Sequence, residues 1–456
     1  MSNRLLLAIT LTMLGLFSYA QDTTRFQGLF HDAKVSGYWR NYYMGTINRD
    51  SLTDFYTLST GGKLKLESGT YKGFSFGVSY FTSIFTGIGN QDIIDPTTGA
   101  ANRYELGNYD INDPNNHEIH LLGEAYLRYQ RKGWTLDVGR FGRKTTMLNG
   151  QDGRMIPSLF QGIWLSNKSK GKWSGEAAIL NAIAPRSTSR WFSIGRSFQY
   201  PQGRNVDGSP SDYQGNIASD FIAIGRIQYK PVKGLQLSVL NYYVDNVFNT
   251  TISEVRYARK GDQWNTEVGF KQIHQFKVND GGNADQTKTY FFHDQSNIFE
   301  MELIAKRNDY TFRLAGTRIT DDGRFLFPRA WGREFLYTFQ KRERSEGFGD
   351  QWNFLGVVAK DWSLKNGDKV SASLGHGYYL RPNPTEAELN KYGIPANSQT
   401  DLDIFYHFGN ALRGLQIEFL VVYKQGLNED DYLFNPRFVH QKVDMLNYQI
   451  IMNYKF

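Results

Sequence analysis

The sequence predicts an all-β fold, a transmembrane antiparallel β-barrel of eighteen strands with short periplasmic turns and long extracellular loops. Three observations carry this expectation. Apolar and polar residues alternate along many segments of about ten residues, the signature of a strand with one lipid face. The connections between these segments alternate in length, short then long. An export leader opens the chain, and no later apolar run approaches the ~20 residues of a membrane helix.

Residues 1–20 read as a signal peptide. Arg4 supplies the positive start, Leu5 to Phe17 the apolar core, and Ser18 and Ala20 the small residues before a cut at Gln21. Residues 21–456 then form a single barrel domain. Composition agrees, because Phe 32 and Tyr 28 give an aromatic excess that favours strands. The mean hydropathy of −0.50 would suit a soluble protein, but in a barrel only alternate residues need be apolar. The absence of cysteine excludes a disulfide scaffold and a thiolate zinc site. The net charge of +7 is scattered over strands and turns, which argues against nucleic acid and leaves anionic surfaces or solutes.

In chain order the alternation marks strands at 34–46, 54–68, 72–82, 118–130, 134–141, 158–166, 172–182, 219–230 and 235–244. It continues at 247–259, 262–275, 295–306, 310–319, 351–364, 368–380, 400–409, 413–425 and 443–456. In the last of these, Tyr448, Ile450, Met452, Tyr454 and Phe456 share one face, and Gln449, Asn453 and Lys455 the other. Short links lie at 69–71, 131–133, 167–171, 231–234, 260–261, 307–309, 365–367 and 410–412. Long ones lie at 83–117, 142–157, 183–218, 276–294, 320–350, 381–399 and 426–442. Only 47–53 and the link at Asp245 are short on the long side. A membrane barrel explains this sorting, and an even strand number leaves both termini in the periplasm. Tyr42, Tyr43, Trp134, Trp173, Tyr378 and Tyr406 near strand ends suit interfacial girdles, though they are equally ordinary strand aromatics.

A barrel this wide holds water, so its inner wall is the functional surface. Charge on the lipid face is costly, which turns Glu124, Arg128, Arg40, Lys63, Arg226, Arg256, Lys271 and Arg313 inward. Glu254, Glu267, Glu300, Glu302 and Glu418 turn inward by the same test, while His120 reads as a wall residue. Arginine can grip a carboxylate bidentately, and rings of charge select solutes. The same residues would equally brace the wall as salt bridges.

Four stretches make the chain recognisable: Leu122-Gly-Glu-Ala-Tyr-Leu-Arg128, Leu136-Asp-Val-Gly-Arg140, Asp152-Gly-Arg-Met-Ile-Pro157 and Phe160-Gln-Gly162. With Gly61-Gly62-Lys63-Leu64 they resemble the OprD family of outer-membrane porins, over roughly residues 55–192. The resemblance implies a monomeric barrel, with a trimer left open, that passively passes small carboxylate-bearing solutes such as amino acids or organic acids. It implies an inward loop that narrows the pore and a ladder of basic wall residues. Asp152 and Arg154 would lie at the constriction, and Arg128, Arg226, Arg256 and Arg313 would form the ladder near Glu124. The last three arginines come from alternation alone. In the 142–157 loop, Gly150 and Gly153 permit a tight backbone, Met155 and Ile156 can anchor it, and Pro157 stiffens its return. Loops 183–218 and 320–350 are long enough to fold inward. In the first, Arg186, Arg190 and Arg196 would face either the pore or outer-leaflet anions. The C-terminal Phe456 resembles the signal read by the barrel assembly machinery, and the other surroundings implied are outer-membrane lipid and lipopolysaccharide.

No cofactor, metal or catalytic residue is expected. Eight histidines fall in no catalytic motif, and Asn108-Tyr-Asp-Ile-Asn-Asp113 lacks the closing Glu of a calcium loop. An outer-membrane barrel hydrolase and a plugged structural or adhesin barrel are the alternatives.

Overall fold

Eighteen antiparallel strands close into one barrel. The structure is a computed structural model that describes residues 28–113, 115–150, 153–168 and 171–456, so the leader at 1–20 and Asp152 lie outside the described residues. The strands are β1 (Lys34–Ile47), β2 (Phe55–Glu67), β3 (Phe74–Gly89), β4 (Glu118–Arg131), β5 (Trp134–Phe141) and β6 (Leu159–Asn167). There follow β7 (Trp173–Ala184), β8 (Ile222–Tyr229), β9 (Leu235–Val244), β10 (Phe248–Lys260), β11 (Asn265–Lys277) and β12 (Gln295–Arg307). The circuit ends with β13 (Tyr310–Ile319), β14 (Gln351–Ser363), β15 (Lys369–Leu380), β16 (Asn397–His407), β17 (Leu415–Gly426) and β18 (Met445–Lys455). A further two-residue strand, Phe192–Ser193, pairs only with the end of β7.

Each strand pairs with its chain neighbours, and β18 returns to β1 from Tyr38 opposite Lys455 to Ile47 opposite Leu446. That seam removes the sheet's edges, which hydrocarbon would leave without hydrogen-bond partners. Among the described residues no helix is long and apolar enough to cross a membrane. Among the described residues, two turns between strands are only two residues long, Lys132-Gly133 and Asn308-Asp309; the first has φ of 47° and 84°, the paired positive φ of a hairpin whose second position suits glycine.

The strand ends follow the alternation closely, with one exception. β3 runs on to Gly89, seven residues past the expected 82, because Ser83 to Gly89 continue to pair with β2. Outward residues such as Leu64, Val138, Ile179, Val239, Met301, Leu314 and Leu374 are exposed apolar side chains, as a lipid face requires. Trp134, Trp173 and Tyr378 are likewise exposed. Tyr42 is not part of such a girdle. It is fully buried inside the barrel, and its hydroxyl donates to Gln449 Oε1 at 2.6 Å.

A bulge corrects the reading of β4. Ser79 faces Glu124 but Tyr80 faces Leu122, so Gly123 is an extra residue and the inward parity changes there. Ile119 and Leu121 therefore point inward, and His120 points out beside Tyr80 and Glu118. A β-carbon at Gly123 would collide with the Phe81 ring, so glycine is needed at this close approach.

The inside also departs from a simple water-lined wall. Leu240, Tyr242, Val244, Ile252, Ile273, Ile298 and Ile319 face inward and are buried. Phe198, Tyr213, Tyr290, Phe291, Phe325, Phe327, Trp331 and Leu336, all from the outer loops, cover them in one apolar core. The loops after β7, β11 and β13 thus fill one side of the outer half of the barrel. Burial of this apolar surface keeps them there.

Trp331 is central to that core. It is fully buried, donates from Nε1 to Ser197 Oγ at 2.8 Å and packs edge-on against Phe198 and Phe327. Trp331→Ala is expected to remove about 3–5 kcal/mol of packing. Limited proteolysis should then cut within 320–350 while the strand barrel keeps its resistance to heating in detergent. Unchanged proteolysis would show that the loop is held elsewhere.

Candidate functional site

Three loops meet where the apolar core ends. Loop 142–158 enters through Met147 and Leu148, which join that core. Its return is anchored by Met155 and Ile156, each 1% exposed, against Tyr42, Phe81, Leu121 and Leu159. Gly150 does not adopt a left-handed φ. Its requirement is space, since a β-carbon there would lie 2.8 Å from Pro157 Cβ. Asn149 Nδ2 donates to Arg333 O at 2.7 Å and Asn149 Oδ1 accepts from Arg333 N at 3.1 Å. Ser158 Oγ donates to Ala330 O at 2.8 Å and accepts from Arg186 N at 3.2 Å. Two polar residues of one loop thereby clasp the loops after β7 and β13.

Between these loops and loop 90–117 lies a cavity of about 260 Å3. Arg154, Arg186, Arg329, Arg333, Arg342 and Arg344 line it, facing Tyr104, Leu106, Ile111 and Pro201. Arg329 is paired with Glu346 and Arg344 with Glu334, both at 2.6 Å. Arg154, Arg186, Arg333 and Arg342 have no carboxylate partner among the described residues. The Arg342 Nη2 donates to the Tyr42 hydroxyl at 2.8 Å, and Arg154 rests against the bare backbone of Gly107. Nε and Nη1 of both Arg333 and Arg342 are buried with no hydrogen-bond partner. Burial, followed by the neighbouring Arg342, lowers the Arg154 pKa to about 10. Burial and the surrounding arginines hold Arg186 and Arg333 well below the ordinary guanidinium value. Unpaired buried cations are costly, and an anion among them would recover that cost as charge-assisted hydrogen bonds.

From the cavity a basic line runs down one wall. Arg40 Nη1 donates to Arg154 O at 2.9 Å and its Nε to Asn453 Oδ1 at 2.7 Å. Below it on β2, Lys63 and Lys65 hold Glu124 at 2.8 and 3.6 Å. On β4 and β5, Arg128 pairs with Asp137 at 2.7 Å and Arg143 also reaches Asp137, whereas Arg140 shares the outward face of Val138 and stacks on Trp191 at 4.7 Å. The facing wall carries Glu254, Glu267, Glu300, Glu302, Asp403 and Glu418. Each of these acids sits beside a base: Glu254, Glu267 and Glu302 beside Arg256, Glu300 beside Lys271, and Asp403 and Glu418 beside Lys341.

The residues singled out from the sequence are dispersed. Of the constriction and ladder candidates among the described residues, Arg154 reaches the cavity. Glu124 and Arg128 lie on the basic wall, each ion-paired. Arg226 pairs with Glu176. Arg256 contacts Glu254, Glu267 and Glu302, and Arg313 shares Glu302 at 2.5 Å. Arg313 also donates to Tyr337 O, while Lys271 donates to Phe335 O at 3.0 Å and pairs with Glu300 at 2.8 Å. These wall charges hold the 320–350 loop. Of the three arginines in loop 183–218, Arg186 turns into the cavity, whereas Arg190 and Arg196 are exposed. Arg333, Arg342 and Arg344 escaped notice because strand alternation does not read loops. Their signal is the charge-rich run from Arg329 to Glu346 around Trp331.

No family model and no curated protein matches the chain. Solved structures do. OpdK of Pseudomonas aeruginosa, crystallised with vanillate, is 14% identical, with a TM-score of 0.69 over 94% of this chain and 100% of that one. OccAB2 of Acinetobacter baumannii is 16% identical, with a TM-score of 0.70 over 94% and 99%. OccK2 (OpdF) of Pseudomonas aeruginosa, in complex with glucuronate, is 12% identical, with a TM-score of 0.66 over 94% and 99%. These neighbours are porins of the OprD/Occ group, and at such identities the likeness is one of fold.

An unpaired buried cation is kept against stability. Arg333→Met is therefore expected to stabilise the folded protein, by on the order of 1–3 kcal/mol for the relieved guanidinium donors. A higher midpoint of thermal unfolding in detergent is the readout. A lower midpoint would make Arg333 a structural residue.

Proposed function

We propose that this protein is an outer-membrane diffusion channel that selects small anionic solutes, with carboxylate-bearing nutrients such as amino acids or organic acids foremost. The observation that carries this reading is the cavity between the inward loops, where Arg154, Arg186, Arg333 and Arg342 have no carboxylate partner among the described residues. A solute enters from outside, loses water and gains guanidinium hydrogen bonds in its place. It then passes to Arg40 and along the wall of Lys63, Lys65 and Arg128. Several weak sites in series let it leave as readily as it arrives, and the gradient alone drives the flow. Arg154, with Asp152 beside it in sequence, marks the constriction in this scheme. Arg128 and Glu124 belong to the exit path. Arg226, Arg256 and Arg313, each held by acids, brace the wall and the 320–350 loop.

The structures with vanillate and glucuronate support the solute class, because both molecules bear a carboxylate. The exposed Phe456, whose backbone joins the seam at Gly37, suits the assembly machinery, and the apolar outer band suits outer-membrane lipid and lipopolysaccharide around a monomer. A plugged structural barrel is the second reading, favoured by the apolar packing of loops against the inner wall.

Single-channel recording in planar bilayers separates the two. The expected result is discrete conductance steps and a reversal potential that favours anions. Arg154→Ala with Arg333→Ala should lower the anion-to-cation permeability ratio about tenfold, equivalent to about 1.4 kcal/mol. Arg128→Ala should do less, since Asp137 already offsets its charge. Absence of steps from the folded protein would sink the channel reading.

A further inference from the structure

We infer that the solute for which the arginine cavity is built carries two or more negative charges, as a dicarboxylate, a tricarboxylate or a phosphate ester does. The inference deepens the channel reading and rests on it for the solute's passage, but it concerns the number of charges the cavity takes.

Among the described acids bordering the cluster, only Glu105 keeps an oxygen that neither a hydrogen bond nor an ion pair reaches. Glu346 is held by Arg329, Glu334 by Arg344, and Glu343 by Arg381 and Lys424. Glu105 Oε1 accepts from Thr46 at 2.5 Å, and burial raises its pKa. Asp110 is taken by the backbone and hydroxyl of Ser189. Of the lining arginines without an ion pair, Arg103 lies over the Tyr104 ring at 5.6 Å, and Arg154, Arg186, Arg333 and Arg342 remain, with their charges in mutual repulsion.

A single carboxylate has two oxygens and can grip one guanidinium bidentately or bridge two. It would leave at least two of the four uncompensated in a site where burial strengthens repulsion. Two anionic groups on one carbon frame meet all four. The cavity of about 260 Å3 limits that frame to a small metabolite. Tyr104, Leu106, Ile111 and Pro201 offer a partly apolar face to its carbon atoms.

Isothermal titration calorimetry on the folded full-length protein in detergent, at low and constant ionic strength, tests the charge count. The probes are acetate and benzoate with one charge, succinate and citrate with more, and glycerol phosphate beside inorganic phosphate. Binding of succinate, citrate or glycerol phosphate at least tenfold tighter than acetate and benzoate is expected. Preference for glycerol phosphate over succinate would assign phosphate esters, and the reverse would assign carboxylates. Tighter binding of inorganic phosphate than of any organic probe would overturn the requirement for a carbon frame. Arg333→Met and, separately, Arg342→Met should erase the preference, whereas Arg196→Ala on the exposed face should keep it. Equal affinity for singly and multiply charged probes overturns the inference. If anion-selective conductance persists in that case, the channel reading stands without it. If multiply charged probes bind tightly but no conductance steps occur, the inference stands and the channel reading falls.

Discussion

The seam between β18 and β1 is the constraint on which the rest depends. A membrane strand must pair on both sides, because hydrocarbon supplies no other hydrogen-bond partner. Closure satisfies the backbone and creates an interior at the same time. Only in that interior can a chain with this many charges place Arg40, Glu124, Glu302 and Lys271 at membrane depth. Each is found there with a partner, which shows how strongly desolvation penalises a lone charge.

The loops then divide the interior. An apolar core formed by Trp331, Phe327, Phe198 and the inward side chains of β9 to β13 occupies one side of the outer half. Arg256, Arg313 and Lys271 secure the same loop from below through Glu302, Glu300 and backbone carbonyls. Toward β1 to β4 a second apolar cluster of Tyr42, Met44, Phe81, Ile119 and Leu121 holds Met155 and Ile156 of the 142–158 loop. The unpaired arginines sit at the boundary between these two regions, on loops too firmly packed to splay apart. Their mutual repulsion is sustained by the burial around them, and this is the condition under which an anion would bind selectively.

Particular residues show how far the primary sequence could be read. Period-two alternation found the wall strands, since lipid outside and water inside impose it residue by residue. The signal weakened where that contrast ended. β3 continues to Gly89, and Gly123 inserts an extra residue that reverses His120 without any compositional trace except glycine itself. Met155 and Ile156 were legible as anchors because an apolar pair in a polar loop needs somewhere to be buried. Arg333 and Arg342 were not, because a loop has no fixed period and an arginine in it has no default direction.

By itself the sequence determined the barrel, the order and approximate ends of its strands, the side of each loop and the inward course of the wall charges. All of these follow from local rules about backbone hydrogen bonding and the lipid-facing surface. The tertiary structure decided which charges neutralise one another and which stay unpaired. Along the chain Arg154 reads as a constriction residue and Arg128, Arg226, Arg256 and Arg313 as a ladder, with nothing to tell which of them are paired. Their partners Asp137, Glu176, Glu267 and Glu302 became decisive only once register and loop packing set the distances. Electrostatic energy depends on separation in space and on burial, and neither is written in the spacing of residues along a strand.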